Sequence, residues 1–122
     1  MLELKCQMTT NYQRGYQLEN ALIKRFTKLG WYATRTAGSH TIADVITIAP
    51  NGMVTVYQCK TTISSSFNLT DLFESVSVFK LRQLPDNIRK VLVIKLGLKH
   101  NSMIHSYTWI QERQEWIESD SI

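Results

Sequence analysis

Asp44, Gln58 and Lys60 are the residues of this chain whose types and spacing could do chemistry. Residues two apart on a strand point to the same face, so Gln58 and Lys60 project together while Cys59 turns the other way. Asp44 lies fourteen residues before Gln58, and the turn signal Pro50-Asn51-Gly52 between them folds the chain back on itself. Such a hairpin sets the start of one strand opposite the end of the next, which puts Asp44 beside the Gln58 and Lys60 pair. An acid, an amide and an ammonium group then converge at one end of otherwise apolar strands. Unpaired charge is costly to bury, so Asp44 and Lys60 must either be solvated at the end of a sheet or serve chemistry there.

The elements that must position these groups are readable from periodicity. Residues 44–49 (DVITIA) are β-branched and largely apolar, as in a strand covered on both faces, and residues 53–60 (MVTVYQCK) form its return strand. Ahead of them, Leu18, Leu22, Phe26 and Leu29 recur at spacings of four, four and three and predict a helix over 13–29. Lys24 and Lys28 fall off that stripe, and Gly30 is placed to end the helix in a left-handed cap. Residues 31–36 alternate as a short strand, broken by Ala37-Gly38-Ser39-His40. After a polar loop, a second helix is expected over 69–84, capped near Asn68, Thr70 or Asp71 and closed by Pro85. Residues 90–96 (KVLVIKL) read as another core strand and residues 102–110 as a further one with Tyr107 and Trp109. The last dozen residues are expected either as a short helix carrying Trp116 and Ile117 or as a loosely ordered acidic tail. Helix, three strands, helix and two strands describe an α/β sandwich around a mixed sheet of about five strands.

Composition bounds the function without naming it. The 122 residues make one domain, and 43% hydrophobic with 20% charged residues is the balance of an ordinary globular chain. No stretch approaches the roughly 18 apolar residues of a membrane span, and the first ten residues lack the apolar run of a secretory signal. Cys6 and Cys59 are too few and too far apart for a disulfide framework or a zinc finger. A cytoplasmic, reducing setting is therefore expected, with no membrane partner and no small-molecule cofactor. Lys and Arg exceed Asp and Glu by 14 to 10. Glu112, Glu115, Glu118 and Asp120 are concentrated in the tail against Arg113 alone, which leaves residues 1–110 with a net charge of +7. A basic body suits a polyanionic partner, although a solvated surface with a lysine bias reads the same way.

Taken in order, Arg14-Gly15, Glu19, Arg35, Ala37-Gly38-Ser39, Asp44 and Gln58-Cys59-Lys60 resemble the core of the PD-(D/E)XK nuclease superfamily. Within it they are most similar to the archaeal Holliday junction resolvases. The resemblance spans residues 14–62. Two positions depart from the pattern: Ala43 stands where a proline commonly precedes the aspartate, and Gln58 stands where an acidic ligand is usual. A carboxylate brings a full charge to a cation and an amide only a dipole. At an effective dielectric near 20, a unit charge pair at about 4 Å is worth about 4 kcal/mol. Mg²⁺ nevertheless accepts any hard oxygen and keeps waters and phosphate ligands.

The resemblance implies a restriction-endonuclease-like core and hydrolysis of DNA phosphodiester bonds with Mg²⁺ or Mn²⁺. On it, Glu19, Asp44 and Gln58 are the expected metal ligands. Lys60 is expected to orient the attacking water or neutralise charge on the phosphate, and Ser39 to contact the phosphate or orient that water. Arg14, Arg35, Gly38, Ser39 and His40 are the expected DNA contacts, with a general base as the second reading of His40. Plainer readings stand beside these. Glu19 can be a helical acid paired one turn away, Arg14 and Arg35 ordinary surface arginines, and Cys59 a core residue. Lys80, Arg82, Arg89 and Lys90 read as solvated, and Trp31, Tyr32 and Phe79 as core or subunit interface. The resemblance further implies four-way junctions as substrate and a symmetric homodimer. The alternatives are a restriction- or repair-type nuclease on duplex DNA, and a DNA-binding module of the same fold that has lost cleavage.

Overall fold

The computed structural model describes residues 11–36, 43–63, 66–97 and 103–119, and for residues 11, 12 and 103 the backbone alone. Its elements in chain order are α1 (Asn11–Lys28), β1 (Tyr32–Arg35), β2 (Val45–Ile48), β3 (Val54–Thr62), α2 (Leu69–Phe73), α3 (Val76–Arg82), β4 (Arg89–Leu96), β5 (Met103–Ile110) and β6 (Glu115–Ser119). The six strands form one sheet in the order β1-β2-β3-β4-β5-β6. Only β3 and β4 are parallel, and the other neighbours are antiparallel. Parallel neighbours need a crossover, which α2 and α3 supply. Among the described residues no helix is long and apolar enough to cross a membrane.

Each face of the sheet has its own core. On one, Leu18, Leu22 and Phe26 of α1 pack against Val45, Tyr57, Val91 and Val93. On the other, Val78 and Leu81 of α3 pack against Ala43, Val56 and Leu92. The unbroken apolar run of β4 follows from this, since Val91, Leu92, Val93 and Ile94 are all buried and serve both faces in turn. Leu29 leaves the stripe. It is 60% exposed, because the helix has already ended and Gly30, at φ +83°, turns the chain into β1.

Two expectations about the elements are corrected. The single helix over 69–84 is two helices, split at Ser75. The Ser75 hydroxyl accepts from the Val78 N–H and donates to the Leu72 carbonyl, so it caps the start of α3 and interrupts α2. Serine side chains compete with the helical ladder in this way. Asn68 caps α2 as its position suggests, accepting from the Asp71 N–H at 3.1 Å. Within the last dozen residues, Glu115–Ser119 is a strand: β6 returns along β5 after a turn over 111–114, with Gln114 at φ 52°. The sheet therefore has six strands. Period-two alternation sends Trp116 towards Phe73 and Trp109, at 6.0 and 5.3 Å between ring centroids, and the neighbouring Ile117 to the other face.

Candidate functional site

Side-chain alternation breaks at Asp44. Ala43 and Ile46 belong to the α3-side core and Val45 to the α1-side core, so the regular period of two fails where the chain bends into β2. The bend is fixed by backbone bonds on both sides. Asp44 N–H donates to the Tyr57 carbonyl at 2.7 Å and the Thr36 N–H donates to the Asp44 carbonyl at 3.0 Å. The Thr36 hydroxyl also donates to the Ala43 carbonyl. One carboxylate oxygen of Asp44, Oδ2, accepts the Cys59 N–H at 2.8 Å.

Arg35, the last residue of β1, reaches the same place from the neighbouring strand. Its Nε donates to Glu19 Oε1 at 2.9 Å, and its guanidinium carbon lies 4.2 Å from the centroid of the Tyr16 ring. Tyr16 and Glu19 are three residues apart on α1 and so share a helix face. Glu19 is paired, then, with a base on a strand, not with one a turn away on its own helix. Sequence reasoning missed Tyr16, although its spacing from Glu19 was the available signal.

Electrostatics ties these groups together. Burial pushes the Asp44 carboxyl above its usual value, and the Cys59 N–H and the Arg35 charge pull it back only in part. Burial also pushes the Cys59 thiol well up, helped by the negative charges of Asp44 and Glu19. That thiol is neutral and packed, which suits a core residue and not a nucleophile. The Cys59 thiol thus feels the charges of Asp44 and Glu19, and Glu19 is in turn bonded to Arg35.

Gln58 points to the opposite face. The Gln58 amide donates to the Ser77 carbonyl at 3.4 Å and accepts the Ser77 hydroxyl at 3.5 Å, which joins it to α3. Asp44 is thus bonded to the Cys59 N–H and the Gln58 side chain to Ser77 of α3. Lys60 is exposed, and among the described residues its ammonium pairs with no carboxylate. It lines an open cleft of about 610 Å³ at the C-terminal end of β3, together with Arg14, Gly15, Cys59, Thr62 and Ile63. The ends of parallel strands are where open α/β sheets commonly place ligands. Gly38, Ser39 and His40 lie outside the described residues. A second hollow of similar size runs along the flank of α1 past Leu18, Leu22 and Ile104. Among the described residues its lining is apolar and basic, with Lys24, Arg25 and Lys28 at its side.

Among the described residues no three His, Cys, Asp or Glu side chains gather into a metal cluster. The donors at hand are a pair, Asp44 and Glu19, both hard oxygen ligands. A pair fits Mg²⁺ or Mn²⁺ in the mode where one or two carboxylates are completed by waters and phosphate oxygens, and it does not make an all-protein cage. Gln58 stands outside that pair. Compared with family models, curated proteins and solved structures, the chain matches none.

Proposed function

We propose that this chain is a metal-dependent endonuclease that hydrolyses DNA phosphodiester bonds. The reading is carried by the Asp44 carboxylate held on the Cys59 N–H, in the strand whose open end presents Lys60 to a cleft shared with Arg14 of α1, and by the Glu19–Arg35 pair whose acid is also felt by Cys59. Asp44 and Glu19 would hold Mg²⁺ or Mn²⁺, which supplies a bound water of lowered pKa and neutralises charge on the phosphate. The chain's own groups have distinct tasks around it. The Cys59 N–H fixes Asp44 Oδ2, so the acid is oriented before any ligand arrives. Lys60 donates to the phosphate oxygen on which charge develops. Arg14, across the cleft, holds a flanking phosphate and so sets the position of the strand. The net charge of +7 over residues 1–110 favours the polyanion as a whole. A cytoplasmic setting agrees with the free thiol of Cys59.

Four-way DNA junctions are the proposed substrate and a symmetric homodimer the proposed acting form, since paired nicks need two sites. Both rest on the resemblance of residues 14–62, with a restriction- or repair-type activity on duplex DNA as the alternative. A second reading, binding without cleavage, is favoured by one observation: the Gln58 amide is engaged by Ser77 on the far face. One experiment separates these. Labelled junction and linear duplex are incubated with the protein and Mg²⁺ or Mn²⁺, beside Asp44→Asn. Junction cleavage lost in Asp44→Asn supports the proposal, and duplex cleavage lost in the same way supports the alternative nuclease. Binding with no cleavage under either metal, unchanged in Asp44→Asn, rejects the enzyme.

A further inference from the structure

The α1 side of the sheet is covered unevenly. The helix packs chiefly on β1, β2 and β3, and Ile104 stands on β5, beyond them. Ile104 shares a strand face with Ser106, the partner of Val93, and so lies on the α1 side. The step between helix and sheet is the hollow of about 610 Å³ lined by Leu18, Ala21, Leu22, Leu29 and Ile104. Leu18 and Leu22 are buried at its floor, whereas Leu29 and Ile104 stand 60% and 50% exposed at its rim. Scattered exposed apolar side chains are ordinary, but two that frame one hollow form a patch of the kind that docking surfaces present.

Lys24, Arg25 and Lys28 edge the same hollow, and all three are exposed. Among the described residues none of them pairs with a carboxylate, and no acid joins the lining. The helix dipole accounts for Arg25 and Lys28 in the last turn of α1, but not for the apolar rim beside them. Lys24 and Lys28 are one turn apart and share a face. A nucleic acid would satisfy the three charges, yet a phosphate backbone brings no apolar group to Leu29 and Ile104. Both properties are met by a protein segment in which Asp or Glu stand beside large apolar side chains. From Leu18 to Leu29 the helix rises about 16 Å, room for about three turns of a docked helix.

We propose that this hollow docks an acidic, apolar segment of a partner protein. Its apolar side chains sit between Leu29 and Ile104, and its carboxylates meet Lys24, Arg25 and Lys28. The surface shares no described residue with the cleft that holds Lys60, so the proposal stands apart from the nuclease reading.

The test is selection of displayed random peptides of about twelve residues on the full chain, followed by fluorescence anisotropy of the recovered peptides. They are expected to combine Asp or Glu with Leu, Ile or Phe, and to bind less tightly as salt rises. Lys24→Glu/Lys28→Glu and Leu29→Ser/Ile104→Ser should each weaken binding about tenfold or more. Lys80→Glu/Arg113→Glu, which changes net charge by the same amount elsewhere, should bind as wild type. All the substituted positions are exposed, so the fold should survive in each. If a double variant nevertheless melts early, amide shifts of the wild type on peptide addition decide. Shifts are expected in residues 21–29 and at Ile104, and shifts confined elsewhere overturn the docking site. Recovered peptides without acids, unchanged binding in both hollow variants, or an equal loss in Lys80→Glu/Arg113→Glu also overturn it. No acidic peptide, with duplex DNA or phosphatidylserine vesicles bound through Lys24 and Lys28, gives the hollow to those surfaces instead. Self-association abolished by Lys24→Glu/Lys28→Glu gives it to a second copy of the chain.

Discussion

The Cys59 N–H donates to Asp44 Oδ2 at 2.8 Å, and this bond orients the acid from the middle residue of the Gln58-Cys59-Lys60 run. Its geometry depends on the bend by which the chain enters β2 at Asp44. The acid is thereby held in a place where burial opposes its ionisation. Stability given up at a functional group is the usual trade at working sites.

Asp44→Asn tests that trade. The Asp44 carboxyl titrates above its ordinary value of 3.8 in the fold, so the native chain keeps a proton that the unfolded chain has already lost. Stability therefore falls as pH rises from the ordinary value through the raised one, and the cost is fully present above it. Asparagine removes the charge and keeps an oxygen for the Cys59 N–H. Asp44→Asn is expected to abolish cleavage while melting above wild type at pH 7. That advantage should fade in melts taken below the ordinary carboxyl value, where the wild-type residue is protonated in both states. A variant that melts below wild type at neutral pH would contradict the sign.

The Arg35–Glu19 pair should be measurably coupled and Arg113–Glu115 should not. The first is half-buried, with the guanidinium stacked on Tyr16. The second is an open pair at 3.2 Å with side chains 65% and 47% exposed. Double-mutant cycles by urea unfolding are expected to give a coupling of about 1 kcal/mol for Arg35–Glu19 and about 0–0.5 kcal/mol for the exposed pair. Equal couplings would mean that solvent screens both alike.

Gln58→Ala addresses the departure from the acidic pattern. In this arrangement the amide is spent on Ser77, through two long bonds at the rim of α3. Removing it is expected to cost about 0.5–1 kcal/mol of stability and to leave Mn²⁺ affinity unchanged. Affinity that drops as far as it does in Asp44→Asn would show that the amide crosses to the acid side when metal binds. Calorimetry on the two variants side by side reads the difference.

How much of this was legible in the sequence depends on the range of the causes. The α1 stripe of Leu18, Leu22 and Phe26 and the two-sided burial of β4 follow from local periodicity, which is why those elements were read correctly. The bend at Asp44 is set by Thr36, just past the end of β1, and by Tyr57 of β3. Without it, regular alternation places the acid beside Gln58. The Glu19–Arg35 pair joins residues sixteen positions apart on a helix and a strand, and no spacing rule reaches that far. Ser75 splits the second helix through a hydroxyl that serves equally well as an exposed helical residue, so its capping role appears only when Leu72 and Val78 are in place.

Trp116→Ala tests the element that sequence periodicity missed. β6 pairs on one side only, with β5, so side-chain packing must hold it there. Trp116 supplies that packing against Phe73 and Trp109, and the Arg82 guanidinium lies 4.3 Å from the centroid of the Trp109 ring. A fully buried tryptophan cut to alanine costs about 3–5 kcal/mol, and the partial exposure of Trp116 brings the expected loss to about 2 kcal/mol. The urea midpoint should fall by that amount with an unchanged slope, since the rest of the core still unfolds as one unit. Deuterium uptake should rise in residues 115–119, with α1 and β3 keeping their protection. Were this stretch a solvated tail, the same substitution would shift stability by no more than about 0.5 kcal/mol. The size of the midpoint shift therefore decides between a sixth strand that completes the α3-side core and a tail that only follows it.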